Sequence, residues 1–120
     1  MWRFIGIAAA VLALALFALQ MFIHVDAALA GREAARRFGG DRVMALAQAV
    51  GCDSCPLKQR NHAVWALGEI GDRRALEALR KHYTGAKCDH STRLCQYELD
   101  KAIRKIERTW GVLAYGARPK

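Results

Sequence analysis

An uncharged run from Phe4 to Ile23 constrains this chain more than any other feature. It is twenty residues long, and only Gln20 interrupts its apolar character. At about 1.5 Å per helical residue the run reaches ~30 Å, the depth of a bilayer's hydrocarbon core. Arg3 and the amino terminus give it a short positive flank, as in a secretory signal. The small-x-small triplet Ala28-Leu29-Ala30 before Gly31 offers a cleavage point. The run is nevertheless longer than the usual signal core, so the preferred reading is an uncleaved signal-anchor, a transmembrane helix over residues 1–25.

Two signals disagree about orientation. Arg32, Arg36 and Arg37 follow the span and outnumber Arg3, which by the positive-inside rule holds the following domain in the cytoplasm. The four cysteines point the other way, because a small domain rich in cysteine suits an oxidising compartment. Weighing the cysteines and the short positive flank more heavily puts the domain on the periplasmic or extracellular side of a single-pass inner or plasma membrane.

About ninety residues remain to fold, which is one small domain with a thin core. Only two prolines occur, and Ala, Leu, Arg and Lys abound. Straight side chains of this kind lose little rotamer freedom in a helix. Apolar positions recur with helical period at Val43, Leu46, Ala47 and Val50, again at Ala63, Ala66, Leu67 and Ile70, and again at Leu99, Ala102, Ile103 and Ile106. No stretch alternates with period two. The pattern predicts an all-α domain over 26–112, a C-terminal tail over 113–120, and helices near 28–38, 41–50, 57–70, 73–83 and 92–110.

The chain also repeats itself. Gly40-Asp41-Arg42 and Gly71-Asp72-Arg73 stand 31 residues apart, each followed by an Ala- and Leu-rich segment. In both, Gly suits the end of one helix and Asp the cap of the next. Ala66-Leu67-Gly68-Glu69-Ile70 is echoed by Ala102-Ile103-Arg104-Lys105-Ile106, at an offset of 36 because the second connecting loop is longer.

Residues 63–79, with the core Ala66-Leu67-Gly68-Glu69-Ile70-Gly71-Asp72-Arg73-Arg74-Ala75, resemble the short HEAT-like repeats first described in relatives of the phycobilin lyases. The likeness extends well over 60–82 and recognisably over 93–107. It is poor over 28–50, where Phe38-Gly39-Gly40 carries one extra residue. The resemblance implies a short α-solenoid of helix pairs behind the N-terminal anchor, each pair burying its apolar face against its neighbours. Members of this class mostly bind or scaffold, so it implies a non-enzymatic protein-interaction module rather than lyase chemistry. The positions that vary freely between such repeats form a concave binding surface, here Asn61, His62, Trp65 and Glu69, and in the next repeat Tyr97, Glu98, Lys101 and Lys105. Trp65 is the distinctive member, lying off the apolar stripe; its bland alternative is packing against helix 28–38 or the membrane surface. An aromatic anchor among mixed charges has the composition of an interface hot spot.

The formal charge of +8 does not discriminate among partners by itself. Arg73, Arg74, Arg80, Lys81, Arg104, Lys105 and Arg108 are spread around several helices like a solvated face. An exported chain is also separated from nucleic acid, so no nucleic-acid partner is expected. Each inter-repeat connection holds a cysteine pair, Cys52 with Cys55 and Cys88 with Cys95. Local disulfides stapling the stack are the preferred reading, and cross-loop pairing stays open. The alternative function is that of a metal-binding or thiol-redox accessory protein. A zinc site built from the four cysteines and His90 is one form of it. Thiol–disulfide exchange at Cys52-x-x-Cys55 is the other, although a strand–helix setting is missing. No phosphate loop, nucleophile elbow or His-Glu-x-x-His motif occurs. No enzyme activity, cofactor or small-molecule substrate is expected.

Overall fold

The computed structural model describes residues 1–89 and 91–116. Five α-helices follow one another: α1 (Trp2–Phe38), α2 (Arg42–Val50), α3 (Leu57–Ile70), α4 (Leu76–His82) and α5 (Gln96–Gly116), with a 3₁₀ turn at Arg73–Ala75 leading into α4. There is no strand among the described residues. Helix α1 lies against α2 and α3, α3 against α5, and α2 and α4 pack behind them.

One helix takes the place of an anchor and a separate helix at 28–38. Nothing between His24 and Phe38 breaks it, because Gly31 is tolerated inside a helix and the chain has no proline there. It ends at Gly39, whose N–H donates to Ala35 O at 2.8 Å. Gly39 and Gly40 both take positive φ, 79° and 76°. The extra glycine of this first connection therefore adds a second positive-φ residue, a backbone conformation that costs other residues about 1–2 kcal/mol.

The two halves of α1 meet different surroundings. Residues 2–22 are exposed throughout, whereas Ala27, Gly31 and Ala34 are buried and Ala30 and Phe38 half-buried along one face. Small residues on that face let α2 approach closely: a Cβ on Gly31 would stand 3.3 Å from Cβ of Arg42. Helix α1 is the one described helix long and apolar enough to cross a membrane, and its most apolar window is wholly unburied. So large an apolar surface on a soluble chain marks a place of contact with something else.

Helix α3 has the bounds that its sequence predicts. Pro56 precedes its first turn, and Gly71 closes it in the left-handed conformation at φ 73°, donating its N–H to Leu67 O at 3.0 Å. Its Val64, Ala66 and Leu67 are fully buried together with Leu46, Val50, Leu79, Leu99 and Ile106. Each of the Val, Leu and Ile side chains among them contributes about 1.5–3 kcal/mol relative to exposure. Gly68 marks the closest approach of α3 to α5. A Cβ there would lie 3.0 Å from Cβ and 3.1 Å from Cα of Ala102.

The two repeat-related aspartates behave differently. Asp72 caps as expected, accepting the Arg74 N–H at 2.9 Å. Asp41 makes no side-chain cap; its carboxylate pairs instead with Arg74 at 2.8 Å. Arg74 thus holds both turns, since its guanidinium also donates to Asp72. This contact holds the Asp72 carboxyl below the ordinary range and raises Arg74.

Helix α5 begins at Gln96, later than the expected 92, and continues to Gly116 through the first part of the expected tail; residues 117–120 lie outside the described residues. The delay has a local cause. Asp89 accepts the Ser91 N–H at 3.0 Å and the hydroxyls of Ser91 and Thr92 at 2.6 and 2.7 Å, forming a turn instead of a helical start. These donors keep its carboxyl ionised well below the usual range.

Gly68→Val should leave the helices formed but lower stability by about 2–3 kcal/mol, because its branches meet backbone of α5 that cannot step aside. Thermal unfolding followed by circular dichroism checks this; an unchanged midpoint would show that α3 and α5 are not in close contact.

Candidate functional site

The eight residues expected to form one groove fall in four places. Trp65, Glu69, Glu98, Lys101 and Lys105 line a narrow cleft between α3 and α5, floored by Gly68 and Ala102. Tyr97, on the first turn of α5, instead borders a depression with Tyr83, Gly85, Ala86 and Gln96 beside the α4–α5 connection. His62 turns towards α1, where it stands 3.9 Å from Asp26. Asn61 is half-buried, and its side-chain oxygen accepts the Cys95 N–H at 2.9 Å, tying α3 to the second cysteine connection. That bond uses its acceptor for structure.

Trp65 does not stand clear of the core. It is half-buried, packs against the core side chains and stacks on His62 with ring centroids 5.2 Å apart. One edge remains open to the α3–α5 cleft. The charges beside it divide into two kinds. Lys105 bonds to the Glu69 carboxylate, which retains only 14% of its side-chain exposure. Glu98 and Lys101 have no ion-pair partner among the described residues, so these two charges are available to an incoming molecule.

A larger cleft of about 620 Å³, which the sequence reading did not anticipate, opens between α1 and α3. Its floor is Ala30, Ala34, Leu46 and Ala63, and Arg37 and Lys58 stand at its rim. Arg37 donates to Gln59 at 3.3 Å. No sequence signal could have revealed this cleft, since it exists only because α1 continues past the apolar run to dock on α3.

Each cysteine pair is local. The sulfurs of Cys52 and Cys55 lie within disulfide distance, with Cα atoms 5.4 Å apart, and those of Cys88 and Cys95 likewise, at 5.1 Å. Among the described residues no three His, Cys, Asp or Glu side chains gather where they could hold a metal ion. His90, the histidine considered for such a site, lies outside the described residues.

Two polar groups missed in the sequence organise these connections. Arg60 donates to Val50 O at 2.9 Å and satisfies an orphan carbonyl at the end of α2. Gln96 is buried: its amide nitrogen donates to His82 O at 3.2 Å and its oxygen accepts the Thr84 N–H at 2.7 Å. Burial, with Arg60 and Lys81 nearby, lowers the pKa of His82 and favours its neutral form.

Residues 59–84 match the model of the PBS lyase HEAT-like repeat, in agreement with the resemblance carried by residues 63–79. The match spans α3, the Arg73–Ala75 turn and α4. No curated protein and no solved structure matches the chain.

Trp65→Ala should keep the helical content but cost about 3 kcal/mol, the lower end for a large aromatic because one edge of the ring stays open. Chemical unfolding monitored by circular dichroism measures it, and an unaltered midpoint would place the ring outside the core.

Proposed function

We propose that this chain is a non-enzymatic interaction module. In this reading it is a short α-solenoid of HEAT-like helix pairs on an uncleaved signal-anchor, which presents the α3–α5 cleft to a protein partner. The observation that carries the reading is the pairing of an open Trp65 edge with two uncommitted charges, Glu98 and Lys101. The cleft is bounded on one side by α3, inside the segment that matches a HEAT-like repeat. Repeats of this kind generally mediate protein–protein contacts. Side-by-side packing of α1, α3 and α5, with α2 and α4 behind, supports the solenoid.

The anchor is supported by the exposure of residues 2–22 and by the docking of the same helix into the domain. Cleavage after Ala30 would remove the buried Ala27 and leave Gly31 at a frayed end, which argues for retention. Two cysteine pairs at disulfide distance support a periplasmic or extracellular domain, where such bonds persist.

A photo-crosslinking residue at Lys105, on the cleft, should give one adduct of defined mass in intact cells, and one at Gln48 on α2 should not. Glu98→Lys combined with the Lys105 probe should reduce adduct formation about tenfold, the equivalent of 1.4 kcal/mol. Equal adducts from both positions, or insensitivity to Glu98→Lys, would remove the cleft as the binding surface.

A further inference from the structure

The edge of the repeat domain nearest the end of the apolar run has a composition unlike the rest of its surface. Helix α1 is continuous, so His24 stands one residue beyond Ile23 and moves rigidly with the span. A cleft of about 250 Å³ there brings His24, Ala27 and Ala28 together with Arg42, the first residue of α2, and Ile70, the last residue of α3. The next residue after Ile70, Gly71, accepts a 3.0 Å hydrogen bond from the indole N–H of Trp110 on α5. This chain of contacts ties three separate segments to the first turns of α1 past the span.

Those segments carry what a bilayer's interfacial layer selects. Ile70 and Trp110 remain 38% and 40% exposed although they adjoin the packed domain. Arg42 at the start of α2 and Arg73 in the turn after α3 are both exposed. The neighbouring acidic groups face partners within the protein: Asp41 and Asp72 pair with Arg74, Glu69 with Lys105, and Asp26 on α1 itself stands 3.9 Å from His62. Residues 24–28 climb about 7 Å along α1, comparable with the ~5–7 Å thickness of one head-group layer. Tryptophan is favoured at that depth, where its ring is shielded and its N–H stays bonded, and arginine pairs with lipid phosphate.

We propose that this edge, centred on Ile70 and Trp110 and flanked by Arg42 and Arg73, lies on the anionic phospholipid head groups of the bilayer that α1 enters. The proposal rests on the signal-anchor reading and goes beyond it, because an anchor alone leaves the domain free to stand off the surface. Lying down on this edge fixes the domain's tilt and leaves the α3–α5 cleft to face along the membrane or away from it.

The test uses the full chain in proteoliposomes of phosphatidylcholine and phosphatidylglycerol, with and without bromine on the upper acyl carbons. The chain's tryptophans are Trp2, Trp65 and Trp110. Trp2→Phe with Trp65→Phe leaves Trp110 as the sole emitter; a second variant with all three replaced and Phe17→Trp reports on the span. Brominated lipid should extinguish about half of the Trp110 emission and most of the emission from position 17. Quenching at position 17 with none at Trp110 would overturn the docked edge while leaving the anchor standing. Quenching at neither would overturn both. Arg42→Glu with Arg73→Glu should relieve the quenching at Trp110 alone, and unaltered quenching would overturn the role given to the arginines. Fluorine NMR of the unsubstituted chain, carrying fluorotryptophan, reads the same contact through broadening by a head-group spin-labelled lipid if the substitutions disturb folding.

Discussion

The packing of Ala27, Gly31 and Ala34 against α2 and α3 is the contact on which the rest of the molecule depends. It makes the last third of an otherwise unburied apolar helix into a working part of a helical array. Small side chains suit this role, since they bring backbones close enough for the neighbouring leucines to fill the space behind them. The apolar run and the repeat domain consequently share one rigid element, with no linker between them. That continuity fixes the position of the clefts relative to the apolar run.

The same economy of space recurs at the next interface. Gly68 lets α3 settle onto Ala102 of α5, and the motif glycine that follows, Gly71, turns the chain while offering its carbonyl to Trp110. Arg74 ties the Asp41 turn to the Asp72 turn, so successive connections are held by one cation between two carboxylates. Those partners lie near the surface, where a single pair contributes modestly; the value of the arrangement lies in fixing the register of neighbouring turns. The cysteine connections stand within disulfide distance across short loops, and Asn61 and Gln96 stitch the second of them to α3 and α4.

Much of this was legible in the residues. Pro56 and Gly71 announce both ends of α3, and the helical spacing of Ala63, Ala66 and Leu67 identifies its buried face. The within-loop cysteine pairing followed from proximity alone. Misplacement came where long-range packing outweighed local pattern. The drop in hydrophobicity after Ile23 suggests a boundary, yet composition can change along a helix that nothing breaks. Trp65 lies off the apolar stripe of α3, which predicts an open face, but His62 and the core behind it cover most of the ring. Asn61 and Tyr97 share helix faces with the cleft residues. Asn61 is nevertheless drawn to the Cys95 amide, and Tyr97 sits at a helix start beside a different connection. Such partners are contributed by segments tens of residues away, and no periodicity encodes them.

The central claim is that one uninterrupted helix serves as both membrane anchor and first packed helix of an exported domain. Intact mass of the protein extracted from its own membrane fraction, before and after treatment with a thiol-alkylating reagent, tests it most directly. Retention predicts a chain that still carries residues 1–30, lighter by the four hydrogens lost in two disulfides and inert to alkylation until reduced. A soluble chain beginning at Gly31, or four thiols that alkylate at once, would contradict it.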